Sequence, residues 1–280
     1  MMKKLARVFA RKTSMTPIDA DVYFGYPTFF DPKYKQVHVS VTFTWDIKRG
    51  HDLKRQWGTV CNNVKIGGPA FDDPGSKFVA GRYLKKGITI TSRGCIYSCD
   101  FCLVPKREGD LKELSIFPGH IIQDNNILAC SKTHISKVFQ MLKTQKRVRF
   151  SGGLDARLLK DWHIQEMRSL SIDELWFACD YPAAFKRLIP IAEKLKKAGF
   201  KRYQIRCYVL IGHQMEKESD RLKELYKLGF YPFAQLYRDG NDSIKYNTDW
   251  KEFQNIWSRP ARYKALMKTN EKSHIPDCIL

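Results

Sequence analysis

The sequence predicts an α/β protein in which a parallel sheet follows a small α/β domain. Six apolar, strand-like runs recur at steps of 32, 27, 27, 29 and 27 residues, close to the ~30 residues of one βαβ unit. Alternating strands and helices with right-handed crossovers give a parallel sheet. A barrel and a doubly wound open sheet share this alternation, so periodicity leaves both open. The runs begin near Ile88, His120, Arg147, Glu174, Tyr203 and Phe230.

Amphipathic helical patterns separate these runs. Apolar residues recur with helical spacing between residues 135 and 142, 185 and 195, and 222 and 226, as expected for helices that cover one face of a sheet. The second and third patterns end at Gly199 and Gly229, where glycine can supply a left-handed C-cap. These features predict three helices on the sheet.

Residues 15–85 are expected to form the small α/β domain. The runs at residues 21–24, 37–43 and 64–66 have the β-branched and aromatic content of strands. Residues 49–57 are a plausible helix that ends at a glycine. The segment therefore has the composition of an independent folding unit.

The expected organisation has four parts. Residues 1–14 are basic and acid-free, which predicts an N-terminal arm. The small domain of residues 15–85 follows, and residues 86–240 contain the six-fold α/β core. Residues 241–280 contain a last helix, which Pro260 is expected to stop, and then a basic tail.

Charge and cysteine usage limit the classes of partner and compartment. Lys and Arg number 49 against 29 Asp and Glu, a net charge of +20, which predicts nucleic acid as partner first and an anionic membrane surface second. No apolar run approaches the ~20 residues of a membrane span. Eight cysteines without paired spacing indicate a reducing, cytoplasmic compartment. The candidate phosphate contacts are Lys143, Lys146, Arg147, Arg149, Lys194, Lys196, Lys197, Lys201 and Arg202.

Three cysteines follow the first strand of the core within eight residues. Cys95, Cys99 and Cys102 have the spacing Cys-x3-Cys-x2-Cys, and an odd number in so short a segment cannot be a disulfide framework. Structural zinc normally takes four ligands, and the remaining cysteines are isolated. Three thiolates can hold a four-iron cube that leaves one iron open for chemistry. The motif therefore favours a [4Fe-4S] cluster over zinc.

The same motif, with Phe101 before its last cysteine, resembles the signature of the radical S-adenosylmethionine (SAM) superfamily. The wider string Thr-Ser-Arg-Gly-Cys…Cys-x-Phe-Cys-x-x-Pro, residues 91–105, is similar to methylthiotransferases and to the branch with an N-terminal cobalamin-type domain. Ile96 departs from the proline frequent there. The resemblance implies a partial (βα)6 TIM-type barrel, a [4Fe-4S] cluster, SAM, and a one-electron donor such as flavodoxin or ferredoxin.

The resemblance also implies an activity. The cluster would cleave SAM reductively to a 5′-deoxyadenosyl radical that abstracts hydrogen from a substrate, and the charge of +20 favours a nucleic acid. Residues 15–85 lack the Asp-x-His-x-x-Gly cobalamin motif, so we expect a domain without cobalamin. Only Cys61 precedes Cys95, which counts against a methylthiotransferase with its second cluster. The rival function is a zinc-stabilised, non-enzymatic nucleic-acid-binding protein.

Polar residues at the strand carboxyl ends are the candidate SAM contacts, because ligands gather at that edge of a parallel sheet. By the resemblance, Asp124 and Asn125 stand where the methionyl ammonium would bind. Asp180 is suited to the ribose diol. Arg157 or Arg206 could pair with the methionyl carboxylate through its planar guanidinium.

The remaining candidates concern the adenine and the loop after the third strand. Phe101 and Gly212 could frame the adenine ring, since glycine lets the backbone approach a flat surface. Asp155 is expected near the mouth of the sheet, and Gly152-Gly153 is the rival site for the ammonium. Structural alternatives exist throughout: turn-capping side chains, an ion pair between nearby loop residues, and a helix N-terminal aspartate.

Overall fold

A computed structural model describes residues 3–73, 77–239 and 243–272 of the chain. Helices and mostly parallel strands make up its regular structure. The predicted α/β class is therefore confirmed, while the partial barrel stays a prediction. None of the helices in the described residues is long and apolar enough to span a bilayer.

The chain divides into two compact units. The first comprises Met1–Gln145 with Asp239–Ser243, and the second comprises Lys146–Arg238 with Ile244–Leu280. The sequence suggested boundaries near residue 85 and residue 240 instead. The cysteine loop thus shares a unit with the N-terminal segment.

Long-range hydrogen bonds hold residues 81–85 against the N-terminal part of the first unit. The guanidinium of Arg7 donates to the carbonyls of Gly81 (3.1 Å) and Arg82 (2.9 Å). The backbone N–H of Lys85 donates to the carbonyl of Met15 (2.8 Å). These bonds join the segment before the cysteine loop to the N-terminal sheet.

The N-terminal sheet has four parallel strands in the order β2-β1-β3-β4. One helix, α1, packs against β3 and β4, and its Leu53 and Trp57 are buried. The elements are β1 (Lys3–Phe9), β2 (Val22–Tyr23), β3 (Tyr34–Ser40), α1 (Ile47–Trp57) and β4 (Val64–Gly67).

Strand β1 corrects the expected N-terminal arm. Residues 3–9 form a central strand that pairs with both β2 and β3. Ala6 and Val8 are 0% exposed, so the strand lies in the core of this sheet. Lys3 and Lys4 made the segment look like a solvated arm, yet cations at the start of a strand can extend into water.

The rest of the first unit contains two strand pairs. Strands β5 (Ile88–Thr89) and β8 (Ile121–Ile122) are parallel. Strands β6 (Ser92–Arg93) and β7 (Lys112–Glu113) form an antiparallel pair around the short helix α2 (Val104–Glu108). The cysteine motif therefore follows a strand, as predicted.

Helix α3 (Lys132–Leu142) completes the first unit. The hydroxyl of Ser131 accepts a hydrogen bond from the backbone N–H of His134 (3.2 Å), which caps the helix. Its apolar stripe is buried as the spacing predicted. The buried apolar residues are Ile135, Val138, Phe139 and Leu142.

The second unit contains four parallel strands in the order β9-β10-β11-β12. They are β9 (Val148–Phe150), β10 (Ile172–Ala178), β11 (Ile205–Ile211) and β12 (Tyr231–Leu236). Each begins within two residues of the position the sequence predicted. Neighbours in the sheet are also consecutive in the chain, as repeated βα units require.

Helices connect and follow these strands. Helices α5 and α6 are the ones predicted from apolar spacing. Helix α5 begins with a proline and α6 ends at a left-handed glycine, in agreement with the usual asymmetry of helix ends. The helices are α4 (Asp161–Arg168), α5 (Pro182–Lys197), α6 (Met215–Leu228), α7 (Thr248–Trp257) and α8 (Pro260–Lys272).

Helix α8 corrects the expected basic tail. Pro260 opens this helix, where its fixed φ and missing N–H are tolerated. Tyr263 is 0% and Met267 is 7% exposed, and the Tyr263 ring stacks on Trp257 with centroids 5.5 Å apart. The chain after residue 260 therefore packs against the second unit, and the part of the expected tail after residue 272 lies outside the described residues.

His163 makes the stability of the second unit sensitive to acid. Its Nδ1 accepts the backbone N–H of Lys160 (2.9 Å), which requires a neutral ring. Burial, with a smaller contribution from the Lys160 charge, lowers the pKa of His163 to about 4. The unfolded chain therefore takes up this proton first as the pH falls. The resulting stability is fully present above about pH 6.5 and is lost towards about pH 4.

We expect the His163 contribution to lower the free energy of unfolding by about 2 kcal/mol between about pH 7 and about pH 5. Urea denaturation at the two pH values measures it. A His163→Gln variant should show a correspondingly smaller change over this interval. An equal change in the variant and the parent would contradict the assignment.

Candidate metal centre

The three cysteines lie in a loop whose two ends are paired. In the β6–β7 hairpin, Ser92 faces Glu113 and Arg93 faces Lys112. The loop of residues 94–111 therefore begins and ends at adjacent positions. Main-chain pairing, which involves no thiol, closes this cysteine loop.

Gly94 makes the close approach at the base of the loop possible. Its φ is +77°, and a Cβ atom there would lie 2.1 Å from the carbonyl oxygen of Asp110. The next residue, Cys95, donates its backbone N–H to the carbonyl of Gly109 (3.3 Å). Both the conformation and the space thus require glycine before the first cysteine.

Glu108 connects the two ends of the loop. Its carboxylate accepts hydrogen bonds from Arg93 Nη1 (2.8 Å), the backbone N–H of Gly94 (3.0 Å) and Asn125 Nδ2 (2.5 Å). Its side chain is 11% exposed, so these bonds are largely shielded from water. Sequence reasoning did not identify Glu108, whose one sequence signal is its position just before Gly109 at the end of a short helix.

Asp124 binds the strand that leads into the loop. Its carboxylate, 1% exposed, accepts the N–H of Thr91 (2.6 Å), the Thr91 hydroxyl (2.5 Å) and the Ser92 hydroxyl (2.9 Å). Burial raises the pKa of Asp124, and these hydrogen bonds act in the opposite direction. The expected role on the methionyl ammonium stays a prediction; the contacts give Asp124 a structural role as well.

Three consecutive residues after β8 contact the cysteine segment. Asp124 binds its leading strand, Asn125 binds Glu108, and Asn126 directs its Nδ2 towards Cys95 Sγ at 4.0 Å. Donors near a ligating sulfur stabilise its negative charge and tune a bound metal. The end of β8 therefore supports the cysteine loop from one side.

The described cysteines separate into two chemical groups. The three loop cysteines are partly exposed, whereas the other four are buried. Burial raises the pKa of Cys130 to about 11 and of Cys179 to about 12, and that of Cys207 well above its ordinary value. These three thiols stay protonated at neutral pH and are poor metal ligands. Cysteine chemistry therefore favours the loop as the ligand source.

Three cysteines in one loop are suitable ligands for a thiolate-bound metal, but their side chains do not converge on one point. Among the described residues, no three His, Cys, Asp or Glu side chains lie in an arrangement that could hold a metal ion. Backbone bonding makes a tight turn from Cys99 to Cys102 (N···O 2.9 Å). Metal binding would therefore require side-chain movement within a loop whose ends are already closed.

The predicted SAM contacts divide between the two units. Asp124 and Asn125 lie beside the cysteine loop in the first unit. Phe101 is half-buried within that loop. The candidates in the second unit are Asp155, Arg157, Asp180, Arg206 and Gly212.

The candidate arginines of the second unit have carboxylate partners. Arg157 pairs with Asp155 (Nη2···Oδ2 2.7 Å), as in the structural alternative considered above. Arg206 pairs with Glu174 (3.0 Å) and lies over the Trp176 ring, 5.3 Å from its centroid. Binding of either arginine to the methionyl carboxylate stays a prediction. To bind it, each arginine would have to release its own carboxylate partner or contact both carboxylates at once.

Asp180 lies at the carboxyl ends of β10 and β11, as predicted. Its Oδ1 accepts the N–H of Leu210 (3.2 Å), and burial raises the pKa of its carboxyl group. Arg221 donates to the backbone carbonyls of Asp180 (3.4 Å) and Leu210 (2.6 Å). The arginine thus joins two neighbouring strands at this edge.

Gly212 is the position where the backbone approaches a ring. Its φ is +127°, and a Cβ atom there would lie 2.3 Å from the Tyr246 hydroxyl oxygen. Glu218, which the sequence did not single out, accepts the N–H groups of Gly212 (3.0 Å) and His213 (3.1 Å). The close approach is to a tyrosine of the same unit, and contact with an adenine stays a prediction.

These features define an α/β protein with parallel sheets and a hairpin-closed loop of three cysteines. No known family model matches the chain, and no curated protein matches it. The functional assignment therefore depends on the chemistry of the loop.

Proposed function

We propose that this protein is a radical SAM enzyme in which Cys95, Cys99 and Cys102 hold a [4Fe-4S] cluster. The observation that carries the proposal is their spacing within a loop closed by main-chain pairing. Bound there, the cluster would supply the electron for reductive cleavage of SAM to methionine and a 5′-deoxyadenosyl radical, which would abstract hydrogen from the substrate.

The residues around the loop support this role by holding its ends. Asp124 binds the incoming strand, and Glu108 joins Arg93 and Gly94 to Asn125. A short path between fixed ends restricts where three thiolates can go, which lowers the entropy cost of binding a compact metal centre. Three protein ligands on four irons leave one iron for SAM.

The finer parts of the proposal concern architecture, substrate and setting. The sequential order β9-β10-β11-β12 is compatible with part of a (βα)6 barrel. The charge of +20 favours a nucleic-acid substrate. No cysteine in the described part of the chain forms a disulfide bond, in keeping with a reducing cytoplasm and an electron donor of the flavodoxin or ferredoxin type.

Anaerobic reconstitution with iron and sulfide tests the proposal. We expect a brown protein with about four irons per chain that, after reduction with dithionite, converts SAM to methionine and 5′-deoxyadenosine. Dithionite and SAM without protein provide the control. A colourless protein that retains one zinc ion and leaves SAM intact would instead support the zinc-stabilised alternative.

A further inference from the structure

A basic cleft with an apolar floor opens in the second unit. It has a volume of about 430 Å³ and lies where α5 and α6 end and β11 and β12 begin. Ala192, Ile205 and Phe230 form the floor and are at most 8% exposed. This volume is within the range of small-ligand sites and exceeds what a lone inorganic ion fills. The cations of its rim are Lys196, Lys201, Arg202 and Lys227.

Arg202 is held in position at this rim. Its guanidinium carbon lies 3.8 Å from the centroid of the Tyr226 ring. The same group donates a hydrogen bond to the Tyr226 carbonyl. A guanidinium carries five N–H donors in a planar fork, so donors remain for a phosphate. The stacked arrangement reduces the conformational freedom that binding would otherwise remove.

The lysines of the rim are weakly neutralised. Lys227 pairs with Glu224 (3.0 Å), and both side chains are more than half exposed. An exposed pair of this kind is weak and exchanges readily. Within the described residues, Glu224 is the one carboxylate that forms an ion pair with any of the four cations. The cleft therefore has an excess of positive charge.

Helix ends account for part of this charge but not for all of it. Lys196 and Lys227 lie in the last turns of α5 and α6, where cations are favoured by the helix dipole. Lys201 and Arg202 belong to the connection between α5 and β11, so the dipole of a helix does not explain them. Their convergence on one concave, apolar-floored cleft requires a separate reason.

We infer that this cleft binds the phosphodiester backbone of a single-stranded nucleic acid. Phosphates would contact the rim cations, and a base would lie against Phe200, which is half-buried in the lining. Tyr203, 57% exposed, offers a second ring close by in the chain. Cations interspersed with aromatic rings are typical of single-strand binding. The cleft is concave, so a polymer chain can enter it, whereas an interfacial helix binds a membrane by burying an exposed apolar face in the bilayer.

This inference rests on the nucleic-acid part of the proposed function, but its location allows it to be tested separately from SAM cleavage. The cleft lies at the amino ends of β11 and β12, whereas Asp180 and Gly212 follow the carboxyl ends of β10 and β11. A strand of seven residues separates the two edges by roughly 20 Å. Binding at the cleft needs no metal, so it can be measured on protein without a cluster. Loss of SAM cleavage and loss of nucleic-acid binding would therefore be separate results.

Fluorescence anisotropy of a short labelled single-stranded RNA tests the inference on the full chain over a range of salt concentrations. A Lys196→Gln/Lys201→Gln variant should bind about tenfold more weakly. The slope of log Kd against log salt should fall by about 1.4, because each single-strand phosphate contact contributes about 0.7.

The matched control is Lys186→Gln/Lys217→Gln, which removes one exposed lysine each from α5 and α6, neither of which lines the cleft. It should leave the salt slope near that of the parent. If both variants lose the same RNA affinity, the effect comes from net charge alone, and the cleft is not the binding site. Binding to vesicles that contain phosphatidylserine, with none to RNA, would overturn it in favour of a membrane.

A second measurement maps the contact directly. Photocrosslinking with bromouridine-substituted RNA should label peptides that contain Phe200 or Tyr203, and the cleft variant should lose this label. Thermal unfolding checks that each variant is folded. Labelling confined to other parts of the chain would contradict the inference even if RNA binds.

Discussion

Cys99→Ala should reduce iron binding after anaerobic reconstitution from about four irons per chain to near background. Removal of the middle thiolate leaves two protein ligands for a cube that needs at least three. We expect the brown colour of the reconstituted protein and the release of 5′-deoxyadenosine to be lost together. Iron analysis and product chromatography on the same sample provide both readouts.

Cys130→Ala is the matched control for this experiment. Cys130 belongs to the same unit but is 8% exposed, and burial raises the pKa of its thiol to about 11. This variant should bind as much iron as the parent protein. If Cys99→Ala keeps full iron content and full SAM cleavage, the proposed cluster ligation is wrong.

Asp124→Ala should lower the free energy of unfolding by roughly 3–5 kcal/mol, because three buried hydrogen-bond donors lose their acceptor. The donors are the N–H and hydroxyl of Thr91 and the hydroxyl of Ser92. The same change should weaken iron loading, since the strand leading into the loop would no longer be fixed. Urea denaturation and iron analysis measure the two effects.

Asp110→Ala provides the comparison within the cysteine loop. Asp110 is exposed, and a surface substitution of this kind should change stability by less than about 0.5 kcal/mol. Similar losses for the two aspartates would contradict the role of Asp124. An Asp124→Asn variant, which keeps the side-chain shape and one acceptor oxygen, should fall between the alanine variant and the parent.

The sequence was most informative where local periodicity determines structure. Six strand starts, the buried stripe of α3, and Leu222 and Leu225 of α6 agree with their predicted positions, because β-branched runs and helical spacing act over a few residues. In α5, Ile189 is 39% exposed although the pattern predicted burial. The helix turns its face towards Ile191 instead, a rotation that only packing determines.

Two segments were misjudged because a local signal had more than one meaning. The lysines at the start of β1 suggested a solvated arm, whereas Ala6 and Val8 are buried in a central strand. Pro260 was interpreted as a stop, although proline serves equally well in a first turn. In both cases the tertiary contacts of the following apolar residues decided the outcome.

The sequence predicted the cysteines of the candidate site but not the residues that hold the cysteine loop in place. Spacing alone singled out the three thiols, since the motif is continuous in sequence. Glu108 and Asn126 act across 14 and 31 residues, on Gly94 and Cys95 respectively, and no local pattern marks such partners. Likewise, the sequence did not show that Arg206, a candidate for the methionyl carboxylate, forms an ion pair with Glu174 of the neighbouring strand.

The hairpin at the base of the cysteine loop has a consequence for maturation. Because hydrogen bonds of the main chain close it, a newly made chain can finish folding before any inorganic centre is inserted, unlike a zinc finger that stays unfolded until loaded. For the proposed cluster, delivery of iron and sulfur would then be a late assembly step. Oxidative loss of the proposed cluster would likewise leave a folded scaffold into which a new cluster could be inserted.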